Sequence, residues 1–554
     1  MVSTKVMRMA SLAALLLAAP AQSQVASPVA PVGTTQGQVA GQQLGSGVKA
    51  WLGIPFAKAP VQDLRWQPPQ PLTWAGVLHA DRTGPECIQV LRPHNINHYF
   101  GEEATSENCL FLNVWAPKTA VAGAKLPVII FIHGGGNTVG SSGSALYDGE
   151  EMAKRGAIFV NFNYRLGILG FMAHPELTAE QGGHSGNYAY LDQVAALRWV
   201  HDNIAAFGGD PDKVVITGQS AGAGAVIQQL FSPLAKGLFS GAMMSSGCNW
   251  ASSPGTTLAQ GEQIGMDVQK QLGLSSLAQL RLVPADRILA QQAEFQLGVN
   301  RGGIRLGGII DGYFMPKNQI DILKEHSFND VPIIAHYNHD EATSPFMAAK
   351  TVADYRALAA QIYGADAPAF LALYPAKTDA DVLRQVREIS LDNGLAKSAR
   401  NCAKLQTEYN KAPAFISMFS RKPSFAPGIT YADMKPAETG AYHTSDIPFW
   451  FGTQDAFNKF RQGRAWTDWD RTLSAQMSES LIAFASSGNP STAAIRWTAW
   501  SPRNDARLVL GDSVSMMPNS AKAIDWLGVH PVAAMQANGP APIAPGGLPG
   551  SPRD

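Results

Sequence analysis

Lys213-Val214-Val215-Ile216-Thr217-Gly218-Gln219-Ser220-Ala221-Gly222-Ala223-Gly224-Ala225-Val226-Ile227-Gln228-Gln229-Leu230 is the stretch from which the rest of the chain can be read. It starts as a short apolar run rich in Val and Ile, the composition of a strand buried on both faces, and continues as Ala-rich helical sequence. Between the two, Gly218 and Gly222 stand two residues either side of Ser220. Gly-x-Ser-x-Gly alone is a weak signal in a chain with 53 glycines. Between a buried strand and a helix it says more. A sharp strand-to-helix turn needs small residues at those two positions, and it presents the serine hydroxyl above the sheet beside the N–H groups of the helix start. The competing role for Ser220 is an ordinary helix N-cap.

Outward from this segment, further apolar runs bounded by turn residues read as buried strands: LPVIIFIH (126–133), AIFVNFNY (157–164), SGAMMSS (240–246), VPIIAHY (331–337) and APAFISMFS (412–420). Helical sequence separates them. In 190–207, Leu191, Val194, Leu197, Val200 and Ile204 fall at three- and four-residue steps on one face. Unalternated Val/Ile strands separated by helices predict the α/β class, with a large, mostly parallel central sheet covered on both sides. Residues 37–60 have strand–turn–strand character and predict an antiparallel edge. Helical stretches from 253 to about 308 and from 345 to about 411 are expected as insertions over the sheet edge, where ligands bind in such folds.

The chain has 554 residues, 43 basic and 43 acidic, with 45% hydrophobic and 16% charged. So little charge excludes long disorder and coiled coil. A balanced charge gives no reason to expect nucleic acid as a partner. The start, with Lys5 and Arg8 ahead of a ten-residue apolar run and small residues, has the layout of a secretory signal peptide over 1–23. That run is too short to span a bilayer, which takes roughly 20 residues. Its removal leaves 41 basic against 43 acidic residues. The expected product is exported, periplasmic or secreted, with one domain over 24–530 and a flexible Pro/Gly-rich tail over 531–554. Cysteines in an exported chain are disulfide candidates. Cys87 and Cys109 enclose a short loop and are paired on that ground; for Cys248 and Cys402 the sequence decides nothing.

A serine needs help to act as a nucleophile. His133-Gly134-Gly135-Gly136 follows the 126–133 strand, and three glycines let backbone N–H groups turn toward one point, as an oxyanion hole requires. A phosphate loop would continue Gly-Lys-Ser/Thr, whereas Asn137-Thr138-Val139 follows here. In serine hydrolases of α/β type the chain order is Ser, acid, His. A carboxylate belongs after a later strand, and Asn338-His339-Asp340-Glu341 occupies that place. Of twelve histidines, His443 follows the last of the apolar runs at a suitable distance. His326 and His336 precede the acid, and His339 adjoins it.

With these motifs in place the chain resembles the type-B carboxylesterase family, the group that includes cholinesterases and bacterial para-nitrobenzyl esterases. The resemblance runs from WLGIPFA (51–57) through SENCLFLNV (106–114), HGGG, Asn163-Tyr164-Arg165 and the long run from Gly186 to Gly222, to HTSDIPFWFG (443–452) and FASSGNP (484–490). It implies the α/β-hydrolase fold and hydrolysis of carboxylic esters. It implies Ser220 as nucleophile, Glu341 as acid (with Asp340 as the alternative), His443 as base, and the N–H groups of Gly135, Gly136 and Ala221 as oxyanion donors. It also supports the Cys87–Cys109 pairing. No cofactor and no metal are implied, and the expected partner is a small-molecule ester. One departure stands out: Gln219 occupies the position where the family usually has Glu, which weakens a choline-ester reading. Two other readings share the fold, a silent binding or adhesion module and an amidase; presence of the whole triad counts against the first. Arg301 and Arg305 are either solvated surface or cations facing an acidic substrate.

Overall fold

The computed structural model describes residues 27–89, 103–251, 254–296, 307–431, 435–459 and 461–531. The expected leader, Arg301, Arg305 and all of the expected tail but Pro531 lie outside the described residues.

Twelve strands of the described residues form one sheet: β1 (Ser27–Pro28), β2 (Gln42–Gln43), β3 (Lys49–Pro55), β4 (Phe111–Ala116), β5 (Leu126–Ile132), β6 (Ile158–Phe162), β7 (Gly209–Gln219), β8 (Gly241–Ser245), β9 (Ile333–Asn338), β10 (Ala414–Phe419), β11 (Ala506–Leu510) and β12 (Val514–Pro518). Their spatial order is β1-β2-β3-β4-β6-β5-β7-β8-β9-β10-β11-β12. From β6 across to β11 every pairing is parallel, and the flanks are antiparallel. All six expected strands are present, and so is the antiparallel N-terminal edge.

The Val/Ile runs lack alternation because both faces are covered. Val128, Ile130 and Ile132 of β5 join Val214 and Ile216 in a core with the helix over Ala221–Phe231, whereas Ile129, Phe131 and Val215 point to the opposite core. The principal helices are α1 (Tyr188–Asn203), α2 (Ala221–Phe231), α3 (Leu258–Gln271), α4 (Leu277–Leu282), α5 (Ala285–Gln296), α6 (Val352–Tyr363), α7 (Ala367–Leu373), α8 (Asp379–Asn393), α9 (Leu395–Tyr409) and α10 (Asp468–Ser487). Leu473, Met477, Leu481 and Phe484 of α10 fill that second core. Both expected insertions are helical: α3–α5 form the first and α6–α9 the second, the latter with a core of its own around Phe346, Tyr355 and Phe370.

Besides the two-residue β1, the sequence reading missed three strands of this sheet. β4 carries Asn113 amid its apolar residues; this side chain is buried, accepting from Gly53 N–H at 2.8 Å and donating to Asn161 at 2.8 Å. A polar residue satisfied by tertiary partners interrupts the apolar signal. β11 and β12 lie at the sheet edge with partly exposed residues, so His443 precedes further strands rather than following the last one. Cys87 and Cys109 are bonded, and Cys248 and Cys402 form a second disulfide that ties the segment after β8 to α9. The latter pair is 154 residues apart and leaves no local trace in the sequence. Constraint of the unfolded chain by closures of these lengths is worth about 3 and about 5 kcal/mol. No helix among the described residues is long and apolar enough to cross a membrane.

Strand order places the site. The chain leaves β5 toward one side to build β6, then crosses back to β7 on the other side of β5. Connections leaving the C-terminal ends of β5 and β7 therefore diverge, which opens a crevice between them.

Candidate active site

Ser220 follows β7 directly with φ 59° and ψ −123°, a conformation few residues other than glycine adopt and one that costs about 1–3 kcal/mol. The turn is over-determined. Ser220 N–H donates to Ser245 O at 2.8 Å, and Ser220 O accepts from Gly224 N–H at 3.1 Å. A Cβ on Gly218 would lie 2.2 Å from Gly222 O, and one on Gly222 would lie 2.1 Å from Ile132 O. Steric contact alone thus explains the small residues two before and two after the serine.

The glycine loop after β5 lies directly against this turn. A Cβ on Gly134 would stand 2.5 Å from Gln219 O and 3.1 Å from Ser220 Cβ. Gly135 and Gly136 both have positive φ, 104° and 64°. A side chain at Gly135 would strike Val139 O at 2.0 Å. Among the described residues no hydrogen bond takes up the N–H of Gly135 or Gly136, and Ala221 opens α2, where the first N–H groups lack intrahelical acceptors. His133 braces the loop from below. Its ring stacks on Tyr164 at 4.4 Å, and Tyr164 donates its hydroxyl to His133 O at 2.7 Å. Burial lowers the His133 imidazole to about 4 despite its bond to Gly134 O, so it stays neutral.

Glu341 and His443 meet. Glu341 Oε2 is 2.5 Å from His443 Nδ1, and its Oε1 accepts from Asn338 N–H at 2.7 Å. The carboxylate side chain is 1% exposed and the imidazole 35%. Burial pulls the His443 pKa down, but the hydrogen bond and charge of Glu341, with Asp446 further off, outweigh it and raise the value above the usual histidine range. Asp340 turns away from the ring and toward Arg387 and Ala441 N–H. Gln219 is 1% exposed, and its amide nitrogen is 3.2 Å from His443 Nε2 and 3.4 Å from Nδ1. The residue beside Ser220 therefore touches the His443 ring. Among the described residues no hydrogen bond joins Ser220 Oγ to the ring; such contacts commonly tighten only in the substrate complex. His326 bonds Tyr409 O, His336 is buried against Ser417 and Asp446, and His339 lies between Asp340 and Glu388, so none of the three replaces His443.

Residues 28–524 match the family model described as "Carboxylesterase family". This chain belongs to the carboxylesterase family. It is a carboxylic ester hydrolase. It is 35% identical to fumonisin B1 esterase of Sphingopyxis macrogoltabida, over 85% of each chain. It is 31% identical to para-nitrobenzyl esterase of Bacillus subtilis (strain 168), over 85% of this chain and 93% of that one. A solved PNB esterase structure superposes with a TM-score of 0.71 at 30% identity, covering 89% of this chain and 99% of the other. The fold of this carboxylesterase is the α/β-hydrolase fold.

The motifs that carried the resemblance hold the loops of this carboxylesterase in place. Arg165 makes a bidentate, buried pair with Asp192 of α1 at 2.8 and 2.7 Å, and Arg65 makes a bidentate, partly buried one with Glu107 at 2.7 and 2.6 Å. Asn163 accepts from Ser142 N–H and donates to Pro85 O. Gln89, which the sequence reading did not single out, clasps Gly140 in both directions at 2.8 and 2.9 Å and so anchors the glycine loop to the Cys87 segment. Asp446 was also missed. It is fully buried and accepts from Ser245 Oγ at 2.8 Å and Asn338 Nδ2 at 2.9 Å, three residues beyond His443. Nothing local marks either residue. The Gly140, Asn338 and Ser245 partners just named lie 51 to 201 positions away. The first insertion reaches the site through Gln292 of α5, which accepts from Ile168 N–H at 3.0 Å, while Gly167 N–H donates to Asn137 O at 2.7 Å. Among the described residues no cluster of His, Cys, Asp or Glu is placed to hold a metal ion.

Proposed function

We propose that this carboxylesterase cleaves esters by two-step acyl transfer with Ser220 as nucleophile, His443 as base and Glu341 as its acid partner. His443 Nε2 takes the hydroxyl proton as Ser220 Oγ bonds to the ester carbonyl carbon. Glu341 steadies the resulting imidazolium, and the N–H groups of Gly135, Gly136 and Ala221 receive the oxyanion, one such donor being worth roughly 3–4 kcal/mol. The proton passes to the departing alkoxide, leaving an acyl-serine. Water then attacks by the same route and restores Ser220. The observation that carries this reading is the 2.5 Å Glu341–His443 contact with the ring set against the Ser220 turn by Gln219.

The substrate class is a small carboxylic ester of low charge, in keeping with a neutral amide where a buried carboxylate would attract cations. Relatives named fumonisin B1 esterase, cocaine esterase and para-nitrobenzyl esterase support a small-molecule ester as substrate. The leader-like start and two disulfides support an exported enzyme, with residues 24–530 as one catalytic domain. A fluorophosphonate probe tests the assignment: one equivalent should attach, and peptide mass analysis should find it on Ser220. Attachment elsewhere, or none, would refute it.

The raised His443 pKa has a kinetic sign. Only the neutral imidazole accepts the proton, so kcat/KM for an uncharged aryl ester should fall about tenfold per pH unit below the His443 pKa. The midpoint should lie above 6.5, the ordinary histidine value. A pH–rate profile with its acid-side midpoint below 6 would contradict this.

A further inference from the structure

We propose that Asp340 is a positioning residue, a clamp that locks the loop bearing His443 onto the loop bearing Glu341 and so sets the distance between base and acid. The proposal rests on the triad reading above. Asp340 is adjacent to Glu341 in sequence but does a different job. Its Oδ2 accepts from Ala441 N–H at 2.8 Å, and its own N–H donates to Ala441 O at 3.0 Å, so the two loops are tied two residues before His443. Its Oδ1 accepts from Arg387 at 2.7 Å and faces His339 Nδ1 at 3.1 Å. Arg387 also donates to Glu438 O at 3.1 Å, and Glu388 accepts from His339 at 3.1 Å. Arg387 and Glu388 belong to α8, so the second insertion takes part in holding the triad.

The His443 loop needs such a clamp. Thr444, the next residue, has φ 76°, which a β-branched side chain rarely adopts and which persists only where the surroundings impose it. Asp340 fixes the chain before the strained residue, and Asp446 fixes it after, through Asn338, Ser245 and the facing His336. Gly440 makes room: a Cβ there would lie 2.0 Å from Asp340 Oδ2. The charges facing Asp340 are His339, Arg387 and, one step away, Glu388. Burial works against an ionised Asp340, yet His339, Arg387 and the Ala441 amide hold it down at about 2. Burial likewise opposes a charged His339, and Asp340 with Glu388 raises it to about 9. The Asp340 contribution is thus complete above its ordinary 3.8 and lost as pH falls through about 2. The His339 contribution is complete below 6.5 and lost as pH rises through about 9.

Steady-state kinetics of Asp340→Ala, Asp340→Asn and Arg387→Met on para-nitrophenyl acetate, from pH 5 to 9, test the clamp. Asp340→Ala should lower kcat at least tenfold with KM within threefold. It should also move the acid-side midpoint of kcat/KM downward, because a loosened Glu341 no longer raises His443; a merely structural role would leave that midpoint in place. Asp340→Asn keeps an oxygen for Ala441 N–H and should recover most of the rate. Arg387→Met, at a partly exposed residue, should lose about threefold with a midpoint shift in the same direction. Folded Asp340→Ala with wild-type kcat and midpoint overturns the clamp. If Asp340→Ala does not fold, Arg387→Met with unchanged kcat and midpoint overturns it. Ser220→Ala, run alongside, separates the two readings: an active Ser220→Ala sinks the triad and the clamp together, whereas an inactive one beside an unimpaired Asp340→Ala sinks the clamp alone.

Discussion

Ser220→Ala should lower kcat on an activated aryl ester by about 10⁴-fold or more while the protein folds as before. The rate loss should be large because, in the proposed mechanism, the hydroxyl forms the covalent bond on which both chemical steps depend; the oxyanion donors and binding can sustain only a small residual rate. Folding should survive because Ala occupies the same strained φ of 59° with no larger side chain, and the Ser220 N–H and O bonds to Ser245 and Gly224 are made by backbone. Thermal midpoints of the two proteins should agree within about 2 °C. Retention of more than a tenth of the wild-type rate by a folded, purified variant would rule out Ser220 as the nucleophile.

Glu341→Gln should cost about 10³–10⁴-fold in kcat with little change in KM. Its carboxylate is 1% exposed and 2.5 Å from His443 Nδ1, and in the proposed mechanism it fixes the ring's tautomer and meets the charge that develops when the ring takes the serine proton. Gln has the same length and can still accept from Asn338 N–H, so packing is conserved and the loss reads charge and tautomer. Loss of the negative partner should also bring the acid-side midpoint of kcat/KM down, since Glu341 is the chief influence raising His443. The measurement is the pH profile of both parameters on the same ester. A Glu341→Gln enzyme within tenfold of wild type at every pH would remove Glu341 from the mechanism.

The adjacent carboxylates Asp340 and Glu341 show how far the residues could be read without the fold. Spacing places both after the same strand, and nothing in their order tells which faces the imidazole. The resemblance favours Glu341, and the structure shows why Asp340 is engaged elsewhere: its two oxygens are taken by Arg387, His339 and Ala441 N–H. The buried strands were legible because their apolar runs are continuous, whereas β4 hid behind Asn113 and β11 and β12 behind their half-exposed edge positions. Cys87 and Cys109 could be paired from a short loop; Cys248 and Cys402 could not, because no local pattern records a contact across 154 residues.

What the chain order alone determined is everything that depends on neighbours along the backbone. The parallel α/β class and the small residues at Gly218 and Gly135 follow from demands that act over a few residues, whereas Gly222 and Gly134 must be small because Ile132 O and Gln219 O come close from distant parts of the chain. Only tertiary structure decided which side chains meet: Gln219 against His443, Gln89 clasping Gly140, Asp340 against Ala441 N–H and Asp446 against Ser245 and Asn338. Those contacts join positions dozens to hundreds of residues apart, and their energies exist only once burial has removed the competing water and the sheet has brought its strand ends together.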